Sequence, residues 1–585
     1  MSEASAGTAV PRPLGGQALD ETPDTIGACP RLTEAQISAL AAHGERRKVA
    51  PDEVLFREGD SWADFFVVLG GKVAIIAGYW GPEERLIAVS GAGRFLGELS
   101  VLTEQPVPNS AVVVEPGEVL AVPVERFRDL LATDTVLGDL ILRAYLIRRS
   151  VLISVGAGIR IIGSHYSPDV RRLRDFAARN RLPYRWIDLE EDPGTESVLQ
   201  QLDVAPEETP IVILFDKQLL RNPTNAELAA AIGQPAPAQG ETNYDLIVVG
   251  AGPAGLSAAV YGASEGLVTL TLDAIATGGQ AGTSSRIENY LGFPTGICGA
   301  DLAERAVIQA RRFGADIMVP AQATSLRQGD GQFQIELAEG STIRSRTVVL
   351  ATGATYRRLD LPRMEAFEST SVFYAATQVE AELCSGDPVA IVGGGNSAGQ
   401  AALFLVKYAK RIWLLVRDPE LGANMSRYLV DQITRTDAIE VLCHTEVCEL
   451  VGDSSLTGLV VPDIQTGDRR QLPARAIFVF IGATPATDWL GSEVARDDDG
   501  FVLTGPAAAG PAARMHAQEA ASPLSPLETS LPGLFAAGDV RSGSTKRVAS
   551  AVGEGAMAIR LGTSGCTLAE LAGSSEAAGT EHGSR

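Results

Sequence analysis

No two of the six cysteines (Cys29, Cys298, Cys384, Cys443, Cys448 and Cys566) are spaced C-x-x-C. The closest pair, Cys443 and Cys448, has four residues between its members, which fits neither a zinc spacing nor a redox dithiol, so no metal site is expected. Long apolar runs are missing too. None reaches the roughly 18–20 residues of a membrane-spanning helix, and the first residues lack the basic start and apolar stretch of a secretory signal. A cytoplasmic location without a membrane partner is therefore expected. Positive charge is scarce: 49 Lys and Arg against 72 Asp and Glu give a net −23, which argues against nucleic acid as a partner. Small molecules remain as the expected ligands.

What is present is an ordinary globular composition, 45% hydrophobic and 21% charged, over 585 residues. At roughly 100–200 residues per domain this length implies about three to five units. Residues 1–30 and 571–585 are rich in small and polar residues and are expected to be disordered, because they bury too little apolar surface to offset ordering entropy. Short alternating apolar strands broken by glycine run from Val49 to Val124, and one helical stretch is expected from about Glu125 to Ser150. Residues 156–235 alternate strand and helix, and 236–241 reads as a linker. Two α/β units follow, interrupted at about 505–526 by an Ala/Pro-rich loop.

Two complete glycine loops carry the chemistry. The apolar run Tyr244 to Val249 leads directly into Gly250-Ala251-Gly252-Pro253-Ala254-Gly255, with a helix expected from about Ala254 and a strand Thr269–Leu272 ending in Asp273. Glycine there allows a tight turn and close approach of backbone to a pyrophosphate, and the acid suits ribose hydroxyls. The second loop, Gly393-Gly394-Gly395-Asn396-Ser397-Ala398, follows a strand Pro388–Val392, and the next strand, Ile412–Val416, ends in Arg417. Asp273 stands 23 residues after Gly250 (273 − 250) and Arg417 stands 24 after Gly393 (417 − 393), so the two positions are read as equivalent. A cation in place of the ribose acid points to a 2′-phosphate and hence to NADPH, with Arg427 as a second clamp and Asp418 opposing it.

With these loops, the segments Gly278-Gly279-Gln280-Ala281, Ile287-Glu288-Asn289-Tyr290, Ala351-Thr352-Gly353, Phe480-Ile481-Gly482 and Ala537-Gly538-Asp539-Val540 resemble the low-molecular-weight thioredoxin reductases. The resemblance covers residues 242–565. It implies an FAD domain in two parts, 242–357 and 485–570, with an NAD(P)H domain, 358–484, inserted between them, and a homodimer. It places FAD at Gly250, Gly252, Pro253, Ala254, Gly255, Asp273, Gly279, Gln280, Asn289, Ala351, Thr352, Gly353, Gly538 and Asp539, with Arg547, Val548 and Ala549 bordering the isoalloxazine. It places NADPH at Gly393, Gly395, Asn396, Ser397, Ala398, Arg417, Arg427, Ile481 and Gly482.

The resemblance breaks at the dithiol. Ala375 and Gln378 occupy the two cysteine positions, and Val379 replaces the acid that follows them. Dithiol exchange needs an attacking thiolate and a resolving thiol. The expected activity is thus an NAD(P)H oxidoreductase in which the flavin is the catalyst and no side chain acts. Its acceptor is open: ferredoxin or flavodoxin, a quinone, or dioxygen. The alternatives are a thioredoxin-disulfide reductase using unconventional cysteines such as Cys384 or Cys298, and a redox or nucleotide sensor with little turnover.

Residues 31–155 resemble a cyclic-nucleotide-binding β-roll through Phe56-Arg57-Glu58-Gly59-Asp60, Gly70-Gly71-Lys72-Val73 and Phe95-Leu96-Gly97-Glu98-Leu99. The resemblance gives Gly97, Glu98 and Leu99 to the cyclic phosphate and ribose, with Ser110 beside them. Asn109 stands where the phosphate-binding arginine belongs, and losing that charged contact costs roughly 1.5–3 kcal/mol. A retained fold serving as a dimer or partner contact is expected, with a cyclic nucleotide as the alternative role. Residues 156–235 resemble a thioredoxin or glutaredoxin-like module, Thr209-Pro210 matching its cis-proline turn. Its motif position holds His165-Tyr166-Ser167-Pro168 in place of cysteines, so a docking or spacer role is expected, with His165 a surface or capping residue.

Overall fold

The computed structural model describes residues 19–565, except 61–62, 80–83, 104, 157, 192–198, 200–203, 206–207, 215–217, 235–242, 285, 330, 369, 375, 377, 454 and 510–524. The expected linker 236–241, the tail 571–585, most of the 505–526 loop, Ala375 and the side chain of Gln378 lie outside the described residues. The chain forms two units, residues 1–236 and 237–585.

In the first unit, the 13-residue strands Phe65–Ala77 and Ser110–Val122 pair antiparallel from Phe65 opposite Val122 to Ile76 opposite Ser110. Their two-residue period separates two cores. Phe65, Val67, Leu120 and Val122 pack on the helices, whereas Phe66, Val68, Val73 and Val119 fill the inside of the roll. Gly117 allows the strands to cross, since a Cβ there would lie 1.9 Å from the Gly70 carbonyl oxygen.

Two expectations need correction here. The helical stretch 125–150 is two helices, Val124–Thr133 and Thr135–Val155, because Asp134 leaves the helical region (φ −100°, ψ 96°) and its carboxylate accepts from the Leu137 N–H at 3.0 Å. The disorder expected over 1–30 also fails at 19–30. Thr22 pairs with Val89 through N–H to O (3.0 Å) and, in return, Val89 N–H to Oγ1 (2.8 Å), Glu21 meets the buried Arg94 at 2.7 Å, and Cys29 is buried. Polar contacts order this strap, which composition does not reveal.

The strands Leu219–Arg221, Ile211–Ile213, Ile159–Gly163 and Tyr184–Asp188 form a four-stranded sheet in that order, with the helix Pro168–Arg179 packed on it through Leu173 and Phe176. The Thr209–Pro210 bond is cis.

The second unit contains two α/β layers. In one, parallel strands Asp316–Met318, Thr269–Leu272, Asn243–Val249 and Thr342–Leu350 continue into Leu534–Ala536, so residues from both ends of the unit complete one sheet. The other is a parallel five-stranded sheet ordered Val372–Phe373, Ala476–Val479, Pro388–Val392, Arg411–Leu415 and Ile439–Leu442. The chain passes between the layers twice, and the two crossings pair as short antiparallel strands, Ala354–Tyr356 with Ala483–Pro485. Buried apolar runs on both faces are what parallel strands covered by helices require.

Candidate functional site

The first glycine loop leaves its strand at the carboxyl edge of the sheet, where ligands of open α/β layers bind. Gly250 has φ +107°, and a Cβ on it would lie 2.2 Å from the Ala351 carbonyl oxygen. A Cβ on Gly255 would stand 1.7 Å from the Gly250 oxygen, so the helix Pro253–Ser264 can close on the loop only with glycine there. Gly252 caps that helix without a side-chain bond, which leaves its first N–H groups open to an anion. Asp273 holds the loop: its Oδ2 accepts from Ala251 N–H at 2.8 Å and its Oδ1 from Ile275 and Ala276.

The other segments assigned to this cofactor converge on the same edge. Gly279 approaches the Gly252 Cα, with 3.0 Å to a Cβ built on Gly279, and Gln280 Nε2 donates to Ala354 O at 2.6 Å. Thr352 Oγ1 donates to Ala486 O at 3.0 Å, and Gly353 has φ +67° with open space around it. Gly538 meets Ala254, whose Cβ would lie 2.9 Å from a Cβ on Gly538. Burial pushes the neighbouring Asp539 carboxyl up, Lys546 opposes the shift and Glu554 adds to it. A cradle in which Gly250, Gly255 and Gly538 leave no room for a Cβ, facing uncapped N–H groups, fits a dinucleotide pyrophosphate. Asn289 stands apart, exposed beyond the Ile287–Ile297 bridge. Arg547 is also exposed and precedes Val548 and Ala549, which open the last helix, Val548–Gly565. Burial pushes the Tyr428 phenol up, the Gln400 hydrogen bond opposes this, and the charges of Glu288 and Arg547 act on it in opposite senses.

The second loop repeats the geometry. Gly393 has φ +140°, a Cβ there would lie 2.3 Å from the Phe480 oxygen, and Gly395 caps the helix Asn396–Leu405 without a side-chain bond. The loop therefore lies against Phe480-Ile481-Gly482, and Ala398 is buried beneath it while Ser397 is exposed. Asn396 Oδ1 accepts from the Ser426 N–H at 2.7 Å, anchoring the next helix.

The equivalence read between Asp273 and Arg417 is off by one residue. Val249 pairs with Leu272 and Val392 with Leu415, so the counterpart of Asp273 is the fully buried Val416. Arg417 lies one residue further out, exposed and without an ion-pair partner among the described residues. Asp418 reaches back toward the loop: its Oδ2 would be 3.5 Å from a Cβ on Gly394 and accepts from Asn424 at 3.2 Å. Arg427 pairs with Asp431 at 3.1 Å and is largely exposed.

The remaining cysteines offer no substitute dithiol. Cys384 is buried, and burial together with Asp387 and Glu380 pushes its thiol up to about 12. Burial, Asp418 and Glu420 likewise push Cys443 up, and no disulfide forms among the described cysteines. Cys298 caps the helix Gly299–Arg312 without a side-chain bond. Gln378 opens a short helix, Gln378–Leu383.

In the first unit, Gly97 has φ +94°, and a Cβ there would meet Asp64 O at 2.3 Å. Glu98 begins the lid helix, Glu98–Thr103, and is buried, with one oxygen on Arg148 Nη1 at 2.8 Å and Oε1 without a partner among the described residues. Arg148, on the long helix, also donates to Phe95 O (3.1 Å) and to Ala28 O (2.5 Å), joining lid, helix and strap. Asn109 and Ser110 are buried, and Ser110 Oγ accepts from the Glu58 N–H at 2.9 Å. Behind Leu99 a cavity of about 30 Å³, lined also by Thr103, Pro106, Leu152, Pro183 and Ile232, has room for about one water. His165 is half-buried, its Nδ1 2.6 Å from Asp188 Oδ2. It is therefore paired, whereas the sequence suggested a surface or capping residue.

Sequence reasoning missed Arg148, Glu554 and Arg541, which act through partners distant in sequence. Glu554 alone had a signal, as the one carboxylate in a mostly small and apolar last helix.

Comparison with known proteins agrees with this geometry. A profile of the pyridine nucleotide-disulphide oxidoreductases matches residues 244–555, and one of the cyclic nucleotide-binding domain matches 46–134. The chain is 32% identical over 324 residues to a thioredoxin reductase of Treponema pallidum, covering 55% of this chain and 97% of that protein. It is 32% identical over 357 residues to NADPH-dependent thioredoxin reductase 3 of Arabidopsis thaliana, covering 58% of this chain and spanning 63% of that protein. The crystal structure of T. acidophilum thioredoxin reductase superposes with a TM-score of 0.50 at 31% identity, covering 56% of this chain and 99% of that one. No helix among the described residues is long and apolar enough to cross a membrane. With one profile spanning more than half of its length, the chain belongs to the pyridine nucleotide-disulphide oxidoreductases, FAD-dependent NAD(P)H enzymes related to thioredoxin reductase, and carries a cyclic nucleotide-binding domain ahead of that part.

Proposed function

We propose that this chain is an NADPH oxidoreductase that delivers electrons to an acceptor without a protein dithiol, the acceptor being ferredoxin or flavodoxin, a quinone, or dioxygen. The observation that carries the reading is the pairing of two intact dinucleotide cradles with Ala375 and Gln378 at the dithiol positions. FAD, when bound, supplies reversible electron transfer between the nicotinamide and the acceptor. The residues of the chain bind and orient. Gly250, Gly252 and Gly255 admit the FAD pyrophosphate, Asp273 fixes the loop, and Gly538 and Asp539 close the opposite side. Gly393 and Gly395 admit the nicotinamide nucleotide, and Arg417 provides an exposed cation at its outer end, without an ion-pair partner among the described residues. Cys384 does not replace the lost pair, because a thiol titrating near 12 holds almost no thiolate at neutral pH.

Anaerobic mixing of the purified protein with NADPH or NADH, monitored at the flavin absorption band, tests the reading. Bleaching is expected, followed by rapid recovery with oxygen, quinone, ferredoxin or flavodoxin and none with thioredoxin disulfide. A band that neither nucleotide bleaches removes the oxidoreductase assignment. Rapid recovery with a disulfide alone removes the dithiol-free route.

A second reading, a sensor whose turnover is incidental, is favoured by Arg148, which ties the lid to the helix leading into the segment 156–235. Here a cyclic nucleotide at Gly97, Glu98 and Leu99 would be the effector, and the segment 156–235 a thioredoxin-like docking module. A flavin that is reduced but not reoxidised except slowly in air supports it, and rapid multiple turnover with any acceptor removes it.

A further inference from the structure

The last helix crosses the first-loop helix at its amino-terminal turn. A Cβ on Gly555 would stand 2.0 Å from Ala254 O and 3.1 Å from Ser257 Cβ, and Ser257 Oγ donates to Val552 O at 2.8 Å. The residue before this crossing is Glu554, whose side chain is 15% exposed. Its Oε2 accepts from the Gly538 N–H at 2.7 Å and from Arg541 Nε at 3.1 Å, and its Oε1 accepts from Arg541 Nη2 at 2.5 Å. This is a fork-on-carboxylate pair with a backbone donor added, a charge-assisted arrangement roughly twice as strong as neutral hydrogen bonds. Arg541 also donates to Ser542 O, and the strand-like bridge to Val502 holds its backbone. Gly538 leans on Ala254, so the turn Gly538–Val540 and the uncapped helix end are set by one contact.

A carboxylate below an anion site is unfavourable unless it is neutralised, since charges in a partly buried setting are screened little. Arg541 beside the turn pairs with Glu554, and Asp539 on the turn lies within electrostatic range of it, whereas Ala254 and Ser257 on the facing helix carry no charge. Only Arg541 touches the carboxylate among these.

We infer that Glu554 and Arg541 are a positioning pair for FAD: Glu554 fixes the Gly538–Val540 turn against the first-loop helix, and Arg541 neutralises a carboxylate that would otherwise repel the pyrophosphate. The inference rests on FAD occupying the first loop.

The test is FAD dissociation from the full-length holoprotein, monitored by recovery of FAD fluorescence, with the visible circular dichroism of the bound flavin as a second readout. Arg541→Met leaves the carboxylate uncompensated, so its FAD dissociation constant rises roughly tenfold or more. Glu554→Gln keeps a carbonyl for the Gly538 N–H and weakens FAD only about threefold, with an altered dichroism as the turn relaxes. In the double variant the effect of Arg541→Met largely disappears. A double variant that binds FAD as weakly as Arg541→Met overturns the inference, because an arginine that only braces the turn is missed equally with or without the carboxylate. Should Arg541→Met fail to fold, Arg541→Lys carries the comparison. Its retained charge predicts an affinity within about threefold of wild type, and a loss of roughly tenfold or more overturns the pair. Wild-type protein that neither retains nor rebinds FAD refutes instead the assignment of FAD to the Gly250 loop.

Discussion

Replacing Asn109 with arginine asks whether the β-roll is a receptor missing one contact. Asn109 is only 3% exposed and precedes Ser110, whose hydroxyl already accepts from Glu58. In the short helix Glu98–Thr103, Glu98 is placed by Arg148 and keeps one oxygen without a partner among the described residues, so an acceptor for a ligand hydroxyl exists, while position 109 holds an uncharged amide. One charge-assisted hydrogen bond contributes about 1.5–3 kcal/mol, or roughly a 10- to 150-fold change in Kd. Isothermal titration of the full chain with cAMP and cGMP is therefore expected to show Asn109→Arg binding at least tenfold more tightly than wild type. A buried guanidinium without its anion destabilises the fold, so the variant should melt earlier than wild type in buffer. Nucleotide at about 100 times Kd should then return roughly 2.7 kcal/mol. Equal affinities, or tighter binding by the wild type, would show that Asn109 is not the missing contact.

Burial raises the Glu58 carboxyl from 4.5 to about 7, against the Gly78 N–H bond and the charge of Arg160. With the folded value above the unfolded one, the stabilisation is present below about 4.5 and is lost as pH rises through about 7. Calorimetry of Glu58→Gln from pH 5 to 8 should remove a slope of up to about 3 kcal/mol, and an unchanged slope refutes the assignment. Cys384→Ser should leave NADPH oxidation intact, and iodoacetamide at pH 8 should leave Cys384 unlabelled by mass spectrometry of the native protein, since its thiol titrates near 12. Loss of activity or ready labelling contradicts that value. Arg417→Ala should raise KM for NADPH by roughly three- to tenfold and leave that for NADH unchanged, the contact being exposed. An equal rise for both nucleotides would place the 2′-phosphate elsewhere.

The first glycine loop was legible because its determinants are consecutive: apolar strand, glycines and small-residue helix follow one another, and Thr269–Leu272 forms as read. The second loop was equally legible, but the equivalence of Arg417 was not. Which residue ends a strand is decided by the partner strand, and pairing Val392 with Leu415 puts Val416 opposite the Asp273 position. The helix break at Asp134 did have a local signal, an aspartate able to cap, hidden by the apolar residues continuing on both sides. The strap at 19–30 had none. Its order comes from Glu21, Thr22 and Ala28 meeting Arg94, Val89 and Arg148, and such pairings depend on a fold already formed.

The unread features share a physical form: a charged side chain satisfied across a long sequence separation. Arg148 links the lid carboxylate to carbonyls at Phe95 and Ala28, and Arg541 with Glu554 links the Gly538 turn to the last helix. In both cases the acid is nearly buried, so removing the arginine alone leaves an uncompensated charge, which costs about 3–5 kcal/mol, whereas removing both partners costs far less. Hydrophobic patterning cannot report such a pair because neither member contributes to an apolar period. Its position can still be inferred from function. A glycine turn that must present backbone to an anion cannot be held by bulky packing, because a Cβ at Gly538 or Gly250 would collide with the opposite wall. Hydrogen bonds from the backbone to a neutralised carboxylate are the means left to fix such a turn, so an acid near a glycine-rich ligand loop belongs together with the nearest arginine.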